Sequence, residues 1–239
     1  MDKKINMKIN NSENELLHKW KKAIRFQLDF QKKVKYTLLR RIFQKVIYSS
    51  YSPFIKPGLR ILNLGSGRGQ VNSFFKNTNF INIDPLYQEL NMDSLTKYKI
   101  LAIGETTPFK KETFNVIIMN SVIHNLIEPQ FVFKELRRIL KNDGILIIQE
   151  ALSVPIDNAH LRLIKFEDFL SWTELSELSI KKHYFFGIKF LVKIILAADN
   201  RLNNNFLSLL LLPFLYISLF LPKILNISGY ICILEIRKN

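Results

Sequence analysis

One cysteine, Cys232, stands in a chain of 239 residues, so no disulfide framework forms within it. It lies in the apolar run Gly229-Tyr-Ile-Cys-Ile-Leu-Glu-Ile, which reads as a buried structural thiol. Histidines number four, and no Cys/His cluster has zinc-ligand spacing, so no metal site is expected. Glycine and proline are scarce at eight each, which excludes a collagen-like repeat and a long flexible linker. Acid is scarce too: 20 Asp and Glu face 35 Lys and Arg, for a net charge of +15. The first fifteen residues are polar and lack the apolar stretch of a secretory signal, so the expected location is cytoplasmic. Peripheral contact with the inner face of the membrane stays open beside it.

What is present is core. Hydrophobic residues make up 48% of the chain and Phe alone contributes 19, enough for one α/β domain with extra elements. The positive charge has two readings. It reflects a Lys-, Asn- and Ile-rich composition, or it attracts an anionic surface of lipid or nucleic acid. Much of it falls in residues 1–50, read here as a separate basic helical segment ahead of a main domain over 51–239. From Glu13 to about Tyr48, Leu16, Leu17, Trp20, Ile24, Leu28, Val34, Leu38, Leu39, Ile42 and Val46 recur at three- and four-residue spacing. Lysines and arginines fill the positions between. The segment is a pair of packing helices with a solvated basic face, a lid over a pocket, or a face resting on anionic lipid.

Beyond Pro53 and Pro57-Gly58, short apolar strands alternate with helices. Strands are expected at Arg60–Leu64, Phe80–Asp84, Ile100–Ile103, Phe114–Met119 and Ile145–Glu150. Helices are expected over Gln70–Lys76 and from Pro129 to Leu140, the second halted by Asn142-Asp143-Gly144. A helix over Phe166–Leu178 and strands at Ser179–Phe186 and Tyr230–Arg237 complete the pattern. Such alternation argues for a mostly parallel sheet covered on both faces.

The first strand runs into Gly65-Ser66-Gly67-Arg68-Gly69. Glycines at such a turn allow positive φ and close approach of a ligand to the backbone, and the helix that follows points its N–H groups at it. A dinucleotide fingerprint needs a third glycine at position 70, which is Gln70, so an NAD-type loop is disfavoured. Asp84 ends the second strand 19 residues after Gly65, where a carboxylate can accept hydrogen bonds from both ribose hydroxyls of an adenosine ligand.

Residues Arg60 to Glu150 resemble the class I S-adenosyl-L-methionine-dependent methyltransferases, in particular the small bacterial type 11 group. Four blocks carry the resemblance in order: Ile61-Leu-Asn-Leu-Gly-Ser-Gly-Arg-Gly, Asn82-Ile-Asp, Gly104-Glu-Thr-Thr-Pro-Phe with Thr113-Phe-Asn-Val-Ile, and Glu135-Leu-Arg-Arg-Ile-Leu-Lys-Asn-Asp-Gly-Ile-Leu. The resemblance implies a Rossmann-like, doubly wound, seven-stranded sheet with its last strand antiparallel, and S-adenosyl-L-methionine as cofactor. It implies that Asn63, Gly65, Ser66, Gly67 and Gly69 lie at the cofactor loop and that Asp84 holds the ribose. It places Gly104 and Glu105 beside the adenine, with Asn120 and Ser121 at the methionine part. Asn63 stands where many members have an acid, Ile103 where an Asp often reads the adenine, and Asn115 in the place of the Asp of a Phe-Asp pair.

Methyl transfer needs alignment and exclusion of water, and a base only for a hydroxyl-like acceptor. His124, His160 and Glu150 are the candidates, with His124 and His160 the expected catalytic residues. Between the last two strands, residues 187–228 form an apolar insertion in which Phe206–Leu221 carries no charge. Sixteen residues interrupted by Pro213 and closed by Pro222 are too short to span a bilayer. The stretch is a shallow membrane contact, a cap on its own domain, or a homodimer face. A small-molecule, sugar or lipid-linked acceptor follows as the expected substrate. A catalytically silent binding protein of the same fold is the alternative reading. A nucleic-acid methyltransferase is disfavoured, because Asn120-Ser-Val stands where an Asn-Pro-Pro-Tyr motif would follow the fourth strand.

Overall fold

The computed structural model describes residues 37–75, 78–93, 96–153, 162–202, 209–225, 229 and 231–239. His160 and the periodic residues from Leu16 to Val34 lie outside the described residues, as does the start of the apolar run, 206–208.

Seven strands form one sheet: β1 (Ile61–Leu64), β2 (Phe80–Asp84), β3 (Tyr98–Leu101), β4 (Phe114–Asn120), β5 (Leu140–Ala151), β6 (Leu178–Phe186) and β7 (Ile231–Lys238). Their order is β3-β2-β1-β4-β5-β7-β6. β1 to β5 pair in parallel, and β7 runs antiparallel between β5 and β6. The central strands are apolar without alternation because both faces are covered. On one face Leu62, Leu64, Ile117, Met119, Leu146, Ile148 and Leu234 pack with Val132, Phe133 and Leu136 of α4 (Pro129–Ile139) and Phe169 of α5 (Phe166–Glu174). On the other, Ile61, Val116, Ile118, Ile145, Ile147 and Ile233 pack with Ile47 and Tyr48 of α1 (Leu38–Ser49) and Val71 of α2 (Gln70–Phe74). Phe133 and Leu136 are fully buried, each worth about 1.5–3 kcal/mol of apolar transfer.

Element boundaries differ from the sequence expectations where local geometry overrides pattern. α2 ends at Phe74 rather than Lys76, and β3 covers Tyr98–Leu101, leaving Ile103 beyond the strand. α4 stops at Ile139, because Leu140 is already extended at ψ 139°, so Asn142-Asp-Gly lies inside β5 and is not the helix stop. α5 ends at Glu174, and the left-handed residue Glu177 (φ 51°) turns the chain into β6. A short helix, α3 (Tyr87–Met92), follows Asp84-Pro85-Leu86 and has no counterpart in the periodicity.

The basic segment enters the described residues as α1, and Thr37 is its N-cap. The Thr37 hydroxyl accepts from the Arg40 N–H at 3.3 Å and donates to buried Asp199. Among the described residues the insertion holds the helices α6 (Lys189–Leu202) and α7 (Leu212–Leu225). Leu39 of α1 packs with Val192 and Ile195 of α6 and Leu215 and Leu219 of α7 in a small third core. Pro213 sits in the first turn of α7, where its missing N–H costs nothing. Pro222 was expected to close the stretch, but it lies inside the helix. Having no N–H, it frees the Ser218 carbonyl, which accepts from the Ile188 N–H at 3.0 Å. The neighbouring Leu219 carbonyl accepts from the Gly187 N–H, also at 3.0 Å. The proline thereby helps anchor α7 to the end of β6.

Candidate active site

Strand order reverses at β1, with β2 on one side and β4 on the other. The carboxyl ends of these strands therefore open a crevice, the usual ligand position in a doubly wound sheet. A cavity of about 840 Å³ lies there. Asn63, Gly65, Ser66, Gly67, Asp84, Gly104, Glu105, Asn120, Ser121 and His124 all line it. Gly69 does not.

The glycine loop is shaped by its surroundings. Gly65 has φ 67°, and its N–H donates to the Ile83 carbonyl at 2.8 Å; a Cβ there would come within 2.5 Å of Val122 Cγ2. Gly69 has φ 70° and caps α2, and a Cβ would meet the Asp93 carboxyl carbon at 2.5 Å. Its glycine is demanded by that close approach from behind the loop, not by the cavity. At Gly67, by contrast, an added Cβ meets nothing within 4 Å.

Asp84 ties loop and strand together. Its Oδ2 accepts from the Gly67 N–H at 2.9 Å and its Oδ1 from the Leu86 N–H at 2.8 Å. Burial pushes its carboxyl above the ordinary value, opposed by those two hydrogen bonds. Burial likewise raises the half-buried Glu105 carboxyl across the cavity.

At the other end of the cavity, Glu150 accepts from the Ile123 N–H at 2.8 Å and the Ala151 N–H at 3.0 Å. It also pairs with His124 Nδ1 at 2.9 Å. With two backbone N–H groups donating to it, Glu150 acts as an acceptor, which suits the His124 tautomer with its proton on Nδ1 and Nε2 as the acceptor nitrogen. Beside this pair, Tyr51 donates to Asn120 Oδ1 at 3.2 Å, and Asn120 Nδ2 donates to the Tyr48 hydroxyl at 3.4 Å. Burial, then Tyr48 and Glu150, hold the Tyr51 phenol well above its ordinary value, so it stays a donor.

The lid reading of the basic segment named no residues that would face a pocket, and α6 was not expected there. Arg40, Phe43, Gln44, Ile47 and Tyr48 of α1 and Val192 and Leu196 of α6 complete the cavity wall. Gln44 Nε2 donates to Gln70 Oε1 at 3.1 Å, so the residue that spoils the dinucleotide fingerprint is where this lid is hooked. Among the described residues no group of His, Cys, Asp and Glu could hold a metal ion. Two residues after His160 in the sequence, Arg162 donates to the carbonyls of Leu126 at 2.7 Å and Ile127 at 2.5 Å, both on the cavity wall.

The residues fit an adenosine-type cofactor on three observations. The Asp84 carboxylate is at the cavity, the space in front of Gly67 is open, and the Ser66 hydroxyl oxygen lines the cavity buried without a protein partner. Two of the three departures from the family blocks lie away from the loop. Asn115 accepts from the Arg60 N–H at 3.2 Å and Lys141 Nζ at 3.3 Å, holding strand ends, while Ile103 lies exposed at the rim.

Residues 62–148 match a family model described as a methyltransferase domain. No curated protein matches the chain. Among solved structures, a possible histamine N-methyltransferase from Thermotoga maritima is 16% identical, with 92% of this chain and 100% of that one covered and a TM-score of 0.64. A [4+2]-cyclase is 15% identical, with 81% of each chain covered and a TM-score of 0.60. Geranyl diphosphate C-methyltransferase from Streptomyces coelicolor is 13% identical, with 83% of this chain and 79% of that one covered and a TM-score of 0.57. Identities this low establish the shared fold and nothing finer. Residues 62–148 thus carry a match to a methyltransferase domain, and the chain around them has the fold that these structures share, in keeping with the class I S-adenosyl-L-methionine-dependent methyltransferases that its sequence resembles.

Proposed function

We propose that the protein methylates a hydroxyl group on a small-molecule, sugar or lipid-linked acceptor, with His124 as general base. The observation that carries this reading is His124 on the cavity wall, paired at 2.9 Å with the buried Glu150 behind it. A base is required only where the attacking atom must lose a proton, and a histidine held in one tautomer by a carboxylate is the arrangement for that task. S-adenosyl-L-methionine, when bound, supplies an electrophilic methyl group on a sulfonium. The chain's own residues do the rest. Gly67, Ser66 and Asp84 hold the nucleoside side. Asn120, fixed between Tyr48 and Tyr51, and Ser121, whose Oγ lies 3.3 Å from Gln149 Oε1, shape the end near His124. Phe43, Ile47, Val192, Leu196 and Ile231 give that cavity an apolar roof, which suits an acceptor with an apolar body and excludes water from the reacting atoms.

The test is mass spectrometry for a product one methylene heavier, using S-adenosyl-L-methionine and host extracts with membrane fractions included. Once the acceptor is known, His124→Ala should lower kcat by about 100-fold or more, and Glu150→Gln by about tenfold, with cofactor affinity unchanged. Unchanged turnover in His124→Ala removes the base assignment. Cofactor binding with no methylated product from any fraction favours the silent binding protein instead.

A further inference from the structure

The insertion has a second face. On α7, Leu215, Ser218, Leu219 and Pro222 point inward, while Leu210 just ahead of the helix, Phe214 and Ile217 lie at 61%, 62% and 60% exposure. Tyr216 beside them and Leu191 and Ile194 of α6 are exposed as well. This spacing of three and four residues makes a continuous apolar ridge rather than scattered side chains. Of these two helices, α6 also roofs the cavity, through Val192 and Leu196.

Charge is distributed to match. Residues 1–50 hold thirteen Lys and Arg against four Asp and Glu, and residues 187–228 hold four against one. Of these segments, α1 and the insertion pack on one another through Leu39, Val192 and Leu215, and by sequence the two segments carry +12 of the chain's net +15. The one acid of the insertion, Asp199, is buried and receives the Thr37 hydroxyl. On α1, Arg41 and Lys45 are exposed. The rest of the chain, with nearly all of the catalytic crevice, is close to neutral.

We propose that α6, α7 and α1 form a docking surface for an anionic lipid bilayer, with the ridge Leu210-Phe214-Ile217 entering the interface. Aliphatic and aromatic side chains flanked by lysine and arginine, with no exposed acid on the insertion, are the chemistry that lipid headgroups and upper acyl chains recognise. A second copy of this chain fits worse, since an isologous contact would bring two strongly positive surfaces together. Nucleic acid fits worse again, because phosphate contacts call for Lys, Arg and polar donors and leave a large aliphatic ridge unused. Among the described residues no helix is long and apolar enough to cross a membrane, so the contact is shallow. Docking places the cavity roof at the lipid boundary, where a lipid-linked acceptor reaches it without crossing water; that consequence rests on the function proposed above, while the docking itself does not.

The test is sedimentation of the full chain with phosphatidylcholine vesicles, with and without phosphatidylglycerol. Binding is expected to require the anionic lipid and to weaken with added salt, since headgroup attraction is screened. Phe214→Glu with Ile217→Glu should reduce binding by about tenfold or more, with calorimetric S-adenosyl-L-methionine binding unchanged. The exposed pair Arg41→Glu and Lys45→Glu tests the electrostatic half without altering the ridge. Sedimentation indifferent to the ridge substitutions overturns the proposal, as does no binding to anionic vesicles. A lipid-free dimer abolished by the same substitutions overturns it in favour of a second copy. Loss of cofactor binding by the unaltered protein would instead count against the methyltransferase reading.

Discussion

Replacing Asp84 by Asn tests the cofactor end of the site with the smallest change of shape. Each Asp84 carboxylate oxygen already accepts one backbone N–H, from Gly67 at 2.9 Å and from Leu86 at 2.8 Å. An amide keeps only one acceptor, so one of these N–H groups meets an NH2, a mismatch of about 1 kcal/mol. A ribose diol likewise meets one acceptor and one donor in place of a carboxylate, which forfeits a charge-assisted bond of about 1.5–3 kcal/mol. The backbone mismatch is present with or without ligand and falls on folding, so the ribose loss alone, about 1.5–3 kcal/mol, sets the change in affinity: about 10- to 150-fold weaker S-adenosyl-L-methionine binding. Folding should suffer less, because burial disfavours the Asp84 charge and the amide removes that penalty. The assay is titration calorimetry beside a thermal melt. A folded Asp84→Asn variant whose Kd stays within about threefold of the parent would refute the ribose assignment.

Two further outcomes follow from titrating groups. The Asp84 carboxyl is raised above 3.8 in the folded chain, so the burial penalty on the ligand-free fold is absent at low pH and sets in as pH rises through the raised value. Cofactor binding has the opposite sign: hydroxyl donors favour the carboxylate, so affinity should fall as pH drops through that value, and calorimetry in two buffers should show proton release in the same window. A flat affinity across the acid range, with the fold intact by circular dichroism, would contradict this. Burial pushes the Cys232 thiol up to about 12, so iodoacetamide should leave the native protein unmodified at neutral pH and label it fully in denaturant. Native-state labelling as fast as that of a free thiol would show that β7 opens.

The parallel half of the fold was legible because its signals are local. The run Ile61–Leu64, the glycine turn and Asp84 at a strand end lie within about two dozen residues, and each has a short-range physical reason. The antiparallel end was anticipated through the family resemblance, and β7 between β5 and β6 matches it. A lid was one of three open readings of the basic segment, and which of its residues meet the cavity was not legible. Tyr51 meets Asn120 across 69 positions, and no periodicity in α1 reports which strand end it faces. The Glu150–His124 pair was half visible: both residues stood out as candidates, but their contact depends on the turn Ile123–Asn125 folding back on β5. Pro222 misled for a physical reason. A proline normally ends a helix, and here the carbonyl it frees is taken up by Ile188.

Asn63 is the departure that bears most on how the site handles a cationic ligand. It lines the cavity at the end of β1, and its Nδ2 donates to Asn72 Oδ1 at 3.0 Å. Asn72 in turn donates to Asn82 Oδ1 at 2.9 Å, and Asn82 donates to Asp93 Oδ2 at 2.6 Å. Three buried amides thus point their donors the same way, toward one buried carboxylate, and their dipoles align. Alignment directs the negative oxygen of Asn63 away from Asp93. The carboxylate that Gly69 leaves room for therefore sits behind the loop. An acid at position 63 would place a second negative charge in a buried chain that already ends on Asp93, at a desolvation cost that the amide avoids. The substitution of Asn for an acid is compensated within the network, and the loop keeps both its geometry and a negative electrostatic backing.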